Sequence, residues 1–232
     1  MDKVKNDYQK LASYWDDNFN LREEEIIDLK TSTDFNYLDL APSLKLIDVI
    51  KRFKGSKKVL DYGTGNGWAA IAMAENGVTK VDACDVSPNA IKMLEIFINK
   101  FNLQEKINPF VINPNWLEGI KEEYDGFFSS NVIDVIPLEM AKEIIKWSYN
   151  AVKEGSLVIF STNYHLDLDL ARAKGMALEG NQLYIDGVLR LTSLSDEEWL
   201  DIFKEYYHLE EIIYFAWPQE EKETRRIFVL RK

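Results

Sequence analysis

From Lys57 onward the chain alternates short apolar runs with stretches whose apolar residues recur at helical spacing. KKVLDY (57–62), TKVDAC (79–84), PFVI (109–112), YDGFFSS (124–130) and SLVIFS (156–161) read as strands. Between them, Gly67 to Asn76 reads as a helix, and so does SPNAIKMLEIFINKF, with Ser87 as N-cap and Pro88 at the first helical position. A further helix opens at Pro137 and runs to about Val152. Strands and helices alternating at this spacing predict right-handed crossovers and a parallel sheet covered on both faces.

The two ends of the chain have a different texture. The first fifty or so residues read mostly as helix: LREEEIIDL is amphipathic, and PSLKLIDVIKRF carries helically spaced apolar residues after Pro42, a good first-turn residue. Near the other end, SDEEWLDIFKEYY begins with a capping box, Ser195 with Glu198. HLEEIIYFAW and TRRIFVLRK follow with only PQEEKE between them, which suits an antiparallel hairpin at a sheet edge. The stretch 163–194 is too long for a simple connection; it holds a helical segment and QLYIDGVLRL, whose Asp186-Gly187 favours a two-residue turn. The expected architecture is one α/β domain over 1–232 with a doubly wound, seven-stranded, mostly parallel sheet. Within it lie an N-terminal helical cap (1–54), a core (55–162), an insertion (163–194) and a final helix and hairpin (195–232).

Charge and composition narrow the partners. With 28 basic and 39 acidic residues the net charge is −11, a surface that repels phosphate backbones and anionic lipid. Nucleic acid and membrane are therefore not expected as partners. The basic run KRFKGSKK (51–58) reads as a solvated helix end and turn. The opening MDKVKNDYQK has no basic segment leading into an apolar stretch, no run approaches a membrane span, and the single cysteine, Cys84, cannot form an internal disulfide. A cytoplasmic protein is expected.

The chemistry concentrates in VLDYGTGNGWAAIAMAENG (59–77). Gly63, Gly65 and Gly67 fall where strand one turns into its helix, so a ligand can approach the backbone closely. Asp85, directly after the second strand, is placed to accept hydrogen bonds from both hydroxyls of a ribose. A phosphate-binding P-loop is absent, and the dinucleotide spacing fails because Trp68 stands where its third glycine belongs. Asp61, two residues before the first glycine, is awkward against a pyrophosphate and suits an ammonium.

DYGTGNG resembles the first motif, [DE]-x-G-x-G-x-G, of the class I S-adenosylmethionine-dependent methyltransferases. Asp85 is similar to their ribose-binding acid, YDGFFSSNVIDVIP (124–137) to their fourth-strand motif, and VKEGSLVIFS (152–161) to the glycine-then-strand stretch that follows. The resemblance covers about 55–162 plus the reversed hairpin, and implies S-adenosylmethionine as cofactor and S-adenosylhomocysteine as product. It implies that Asp61 holds the methionine ammonium, directly or through water, that Gly63 and Gly65 admit the methionine part and ribose, and that Asp85 with Val86 borders the ribose. The usual acid after strand three is missing from INPNWLEG; Asn115 and the Trp116 N–H are the candidates for adenine. Ser130 and Asn131 would line the methionine end, and Tyr14 and Trp15 resemble lid residues of small-molecule methyltransferases.

Methyl transfer from a sulfonium is an in-line displacement that positioning alone can accelerate, with a base needed only if the nucleophile must lose a proton. His165 and Tyr164, after strand five, and Asp134, after strand four, are the catalytic candidates. No acid cluster suggests a metal. The expected activity is methylation of a small molecule bound between the N-terminal segment and the insertion. Alternatives are a protein or peptide methyltransferase and a non-catalytic nucleoside-binding protein, with a NAD-linked oxidoreductase behind them.

Overall fold

A computed structural model describes residues 2–32 and 35–232. Seven strands form one sheet: β1 (Lys58–Tyr62), β2 (Lys80–Asp85), β3 (Ile107–Val111), β4 (Tyr124–Ser130), β5 (Val152–Thr162), β9 (His208–Phe215) and β10 (Arg225–Arg231). Their order is β3-β2-β1-β4-β5-β10-β9, parallel except where β10 runs antiparallel to both β5 and β9. The order reverses between β1 and β4, and in open α/β sheets ligands bind at such a switch, beyond the carboxyl ends of the strands. Because β10 is reversed, its first residues, Arg225 and Arg226, stand at that same end, paired with Phe215, Tyr214 and Thr162.

Helices cover both faces. On one lie α3 (Leu44–Ile50), α4 (Trp68–Glu75) and α5 (Pro88–Lys100), which bury Leu46, Ile71, Leu94 and Phe97 against β1 and β2. On the other, α6 (Leu138–Ala151) and α8 (Asp196–Phe203) bury Ile144, Ile145, Trp199 and Phe203 against β4, β5 and β10. WAAIAMAE in α4 is apolar on nearly every side, and Ala69 to Ala74 are all buried, as expected of a helix pressed between a sheet and a neighbouring helix. Caps end the helices as the sequence implies: Ser87 Oγ accepts from Ala90 N, and Ser195 and Glu198 form the capping box of α8.

Some boundaries differ from those read in the sequence. The fifth strand begins at Val152, because a register shift between Tyr124 and Gly126 pairs Val152 with β4 before the main ladder starts at Leu157. Pro42 precedes the helix instead of opening it; Ser43 caps α3 by accepting from Lys45 N. The amphipathic segment at 23–31 is a helix, α2 (Glu23–Thr31), but none of its residues is buried and Ile27 is 59% exposed. Three residues of the basic run pair with acids, Lys51 with Asp48, Arg52 with Glu211 and Lys58 with Asp82.

The insertion forms its own layer. After α7 (Leu168–Ala173), β6 (Ala177–Glu179), β7 (Gln182–Ile185) and β8 (Val188–Thr192) make a separate three-stranded antiparallel sheet. Asp186 and Gly187 both have positive φ, 53° and 73°, the geometry of a type I′ hairpin turn. The first helix, α1 (Asp2–Asn18), bridges this sheet and the core. Asp16 Oδ1 accepts from Ser87 Oγ (2.7 Å) and Asn89 N (3.0 Å) at the start of α5, while Tyr184 Oη donates to Asp7 (2.9 Å) on the insertion side. Among the described residues no helix is long and apolar enough to cross a membrane, and no group of three or more His, Cys, Asp or Glu side chains is gathered to hold a metal ion.

Candidate active site

The loop between β1 and α4 turns on three glycines with positive φ: Gly63 (73°), Gly65 (54°) and Gly67 (83°). A Cβ on Gly63 would meet Val132 at 2.3 Å and one on Gly67 would meet Leu94 at 2.2 Å, so both side conformation and space demand glycine. The N–H groups of Gly63 and Thr64 both donate to the Cys84 carbonyl at 2.9 Å, tying the loop to the end of β2. Asp85 completes the cradle: its Oδ2 accepts from Gly65 N (3.0 Å) and its Oδ1 from Ser87 N (2.9 Å). Burial pushes the Asp85 carboxyl up from its ordinary range, while the N–H groups of Ser87, Gly65 and Val86 oppose the rise.

Above this cradle opens a cavity of about 600 Å³, within the size range of small-molecule sites. Gly63, Gly65, Asp85, Val86 and Ser130 line its floor, with Asn131, Val132 and Trp68 beside them. Trp68 meets Phe128 edge-on at 5.6 Å as well as walling the cavity. From α1 come Tyr8, Leu11 and Trp15, followed by Phe19, whose ring stacks on Trp15 and reaches 3.2 Å from the position a Gly65 Cβ would occupy. Leu183, Ile185, Arg190 and Leu191 of the insertion close the opposite side, and Tyr164, Trp217 and Arg225 complete the wall. Asn131 has φ 57° and a buried Nδ2 without a hydrogen-bond partner, beside the cavity.

Several residues predicted for the site stand elsewhere. Asp61 is 1% exposed and lies behind the glycine loop, not on the cavity wall; it accepts from Thr64 Oγ1 at 2.6 Å and so stiffens the turn. Burial pushes its carboxyl from 3.8 up to about 7, against the hydrogen bonds from Thr64 and Ala70 N–H. Asn115 is exposed, and the Trp116 N–H is taken by the Asn113 carbonyl at 3.1 Å; neither reaches the cavity, where Ile112 stands instead. Tyr14 faces outward under Arg190, while its neighbour Trp15 faces in.

Of the three catalytic candidates only Tyr164 lines the cavity, at 38% exposure. His165 is exposed and outside it. Asp134 is fully buried: its Oδ2 accepts from the N–H and the Nδ2 of Asn163, both at 2.7 Å, so it positions Asn163 and does not face an acceptor. Asn163 is also held from β10, its side-chain oxygen by Arg225 and its carbonyl by Arg226 at 2.7 Å. Glu220 grips Arg225 from the other side, and the Trp217 ring lies 3.4 Å from the guanidinium.

The raised Asp61 value carries a pH signature. The folded chain holds this proton more tightly than the unfolded chain, so Asp61 favours folding most below about pH 4 and progressively less as pH rises through about 7. Asp61→Asn removes that titration while keeping an acceptor for Thr64. The melting temperature of the variant relative to the parent chain is therefore expected to rise between pH 5 and pH 8, by thermal melts at both; a constant difference would contradict the assigned proton affinity.

Residues 38–206 match the protein family described as Methyltransferase domain. The chain belongs to the methyltransferase-domain family. Among curated relatives of this methyltransferase is the ribosomal protein L11 methyltransferase of Caldicellulosiruptor saccharolyticus, 27% identical over 63% of this chain and 46% of its own length. Another is a tRNA N(3)-methylcytidine methyltransferase of Schizosaccharomyces pombe, 26% identical over 68% of this chain and 54% of its own. The chain spans about half the length of these curated relatives. A solved S-adenosylmethionine-dependent methyltransferase from Methanosarcina mazei superimposes with a TM-score of 0.66 at 16% identity, covering 79% of this chain and 96% of that one, which shows the shared fold.

Proposed function

We propose that this chain transfers the methyl group of S-adenosylmethionine to a small molecule held between α1 and the insertion sheet. The observation that carries the reading is one continuous cavity whose floor is the Gly63–Gly65 turn with Asp85 and whose roof is α1 and β7–β8. The floor fits the cofactor's parts: a backbone that admits close approach, a carboxylate for ribose hydroxyls, and the unpartnered Asn131 Nδ2 toward the Ser130 end. Asp85 and Val86 would hold the ribose, Ser130 and Asn131 the amino-acid end, and Trp15 and Phe19 would cover them. Asp61 acts from beneath, fixing Thr64 and with it the turn on which the cofactor would rest. When bound, the cofactor supplies an activated sulfonium methyl.

The chain's own part is then to orient an acceptor and exclude water. Tyr164, beside the Arg225–Trp217 pair, is the side chain placed to contact the acceptor. With His165 outside the cavity and Asp134 buried behind Asn163, among the described residues no histidine and no carboxylate other than Asp85, itself engaged by Gly65 N and Ser87 N, lines that space, which favours an acceptor that needs no strong base.

The named relatives act on a ribosomal protein and a tRNA, and those acceptors are the second reading. The roof supports the first, because it covers the cavity with side chains from two elements. Labelled S-adenosylmethionine incubated with the purified protein and a size-fractionated lysate separates the two. Label is expected in the metabolite fraction; label confined to protein or RNA would overturn the small-molecule assignment.

A further inference from the structure

Seven arginines occur in the chain, and six of them hold a carboxylate within 3.0 Å: Arg22 with Glu25, Arg52 with Glu211, Arg172 with Asp169, Arg225 with Glu220, Arg226 with Asp196 and Arg231 with Glu210. Arg190 is the exception. Among the described residues its guanidinium makes no ion pair and no hydrogen bond; its one partner is the face of Tyr14, 4.0 Å from the ring centroid. A guanidinium carries five N–H donors, and contact with an aromatic face satisfies none of them in its plane. In a chain with eleven more acids than bases, net charge −11, an arginine without a carboxylate is out of pattern.

Its place gives the exception meaning. Arg190 is half-buried on β8 and lines the cavity among Leu183, Ile185 and Leu191. Among the described residues two other charged side chains line that cavity. Asp85 is engaged by Gly65 N and Ser87 N, and Arg225 is neutralised by Glu220. Asp17 and Asp186 border the shallow cleft on the far side of Tyr14, yet neither pairs with Arg190. Tyr14 lies against the guanidinium from outside the cavity and leaves its N–H donors without a protein partner among the described residues, free for a ligand.

We infer that Arg190 receives a carboxylate of the methyl acceptor, so that the substrate is an apolar or aromatic molecule bearing one acidic group. The inference rests on the small-molecule reading above and names its substrate class. A guanidinium pairs with a carboxylate through two parallel N–H···O bonds, and the surrounding leucines, isoleucine and Trp15 suit an apolar body. The amino-acid end of the cofactor also carries a carboxylate, so the test must separate the two sources.

The probes are phenylacetate and indoleacetate with their neutral amides, measured by ligand-observed NMR on the parent chain, Arg190→Gln and Arg190→Lys, each with and without S-adenosylhomocysteine. Carboxylates are expected to bind about tenfold or more tighter than the amides. Arg190→Gln should abolish that preference, and Arg190→Lys should keep part of it. In parallel, calorimetry compares S-adenosylhomocysteine with methylthioadenosine, which lacks the amino-acid end. Unchanged affinity for both in Arg190→Gln supports the acceptor assignment. Loss of S-adenosylhomocysteine affinity alone would hand Arg190 to the cofactor and overturn it. Equal binding of acids and amides, or no binding of the acids, would overturn it as well. If the parent chain fails to bind S-adenosylhomocysteine, the proposed function falls, while the acid-against-amide comparison on the unloaded protein still judges Arg190.

Discussion

Asp85→Ala is expected to weaken S-adenosylhomocysteine binding by roughly 30- to 1,000-fold, the equivalent of about 2–4 kcal/mol for losing charge-assisted bonds to two hydroxyls. The same carboxylate receives Gly65 N and Ser87 N, so its removal also leaves two loop donors without their acceptor. Asp85→Asn separates the effects: the amide keeps one acceptor oxygen and the side-chain volume but turns a donor toward groups that are themselves donors. Both variants should bind far more weakly than the parent chain, with the alanine variant melting lower than the asparagine one. An alanine variant that is folded and binds S-adenosylhomocysteine like the parent chain would remove Asp85 from the ribose.

The second large effect concerns stability. Gly67→Ala places a Cβ at a residue with φ 83° and 2.2 Å from Leu94 Cδ1. Left-handed backbone costs a side-chain-bearing residue about 1–2 kcal/mol, and overpacking about 1–3 kcal/mol more. Their sum, about 2–5 kcal/mol, lowers the melting temperature by roughly 4–20 °C in a chain of this size. Gly119→Ala is the control: no positive φ is required there and nothing lies within 4 Å of the added carbon, so it should melt close to the parent chain. Equal melting of the two variants would contradict the packing of α4 on α5.

The framework was legible because each part announces itself locally. Apolar runs alternating with helical patterns give the five parallel strands, and the six residues between the last two runs are too few for a helical crossover and favour an antiparallel pair. The glycine turn and Asp85 were equally readable, since backbone geometry and position after a strand need no knowledge of distant packing. The adenine end was not: INPNWLEG has no acid at the usual place, and Asn115 and Trp116, the residues it offers instead, lie on the turn at 113–119, which directs them away from the cavity.

Other residues were recoverable by stricter periodicity. Tyr8, Leu11, Trp15 and Phe19 recur at three- and four-residue intervals and share one face of α1, whereas Tyr14 stands about 100° away from Trp15. Counting the period would have chosen Phe19 over Tyr14. The reversed hairpin likewise implies that TRRIFVLRK starts at the ligand end of the sheet, which puts Arg225 at the cavity. Asp134 and Arg190 lay beyond such reasoning. Asp134 is buried because Asn163, far along the chain, folds back onto it, and Arg190 stands out only when the partners of the other arginines are known.

The central claim is that the glycine turn, Asp85 and the cavity above them hold S-adenosylmethionine. Parallel calorimetric titration of the purified chain with S-adenosylmethionine, S-adenosylhomocysteine and NAD⁺ tests it most directly. Micromolar binding of the first two without binding of NAD⁺ is the predicted result. Binding of NAD⁺ alone, or of none of the three, would contradict it.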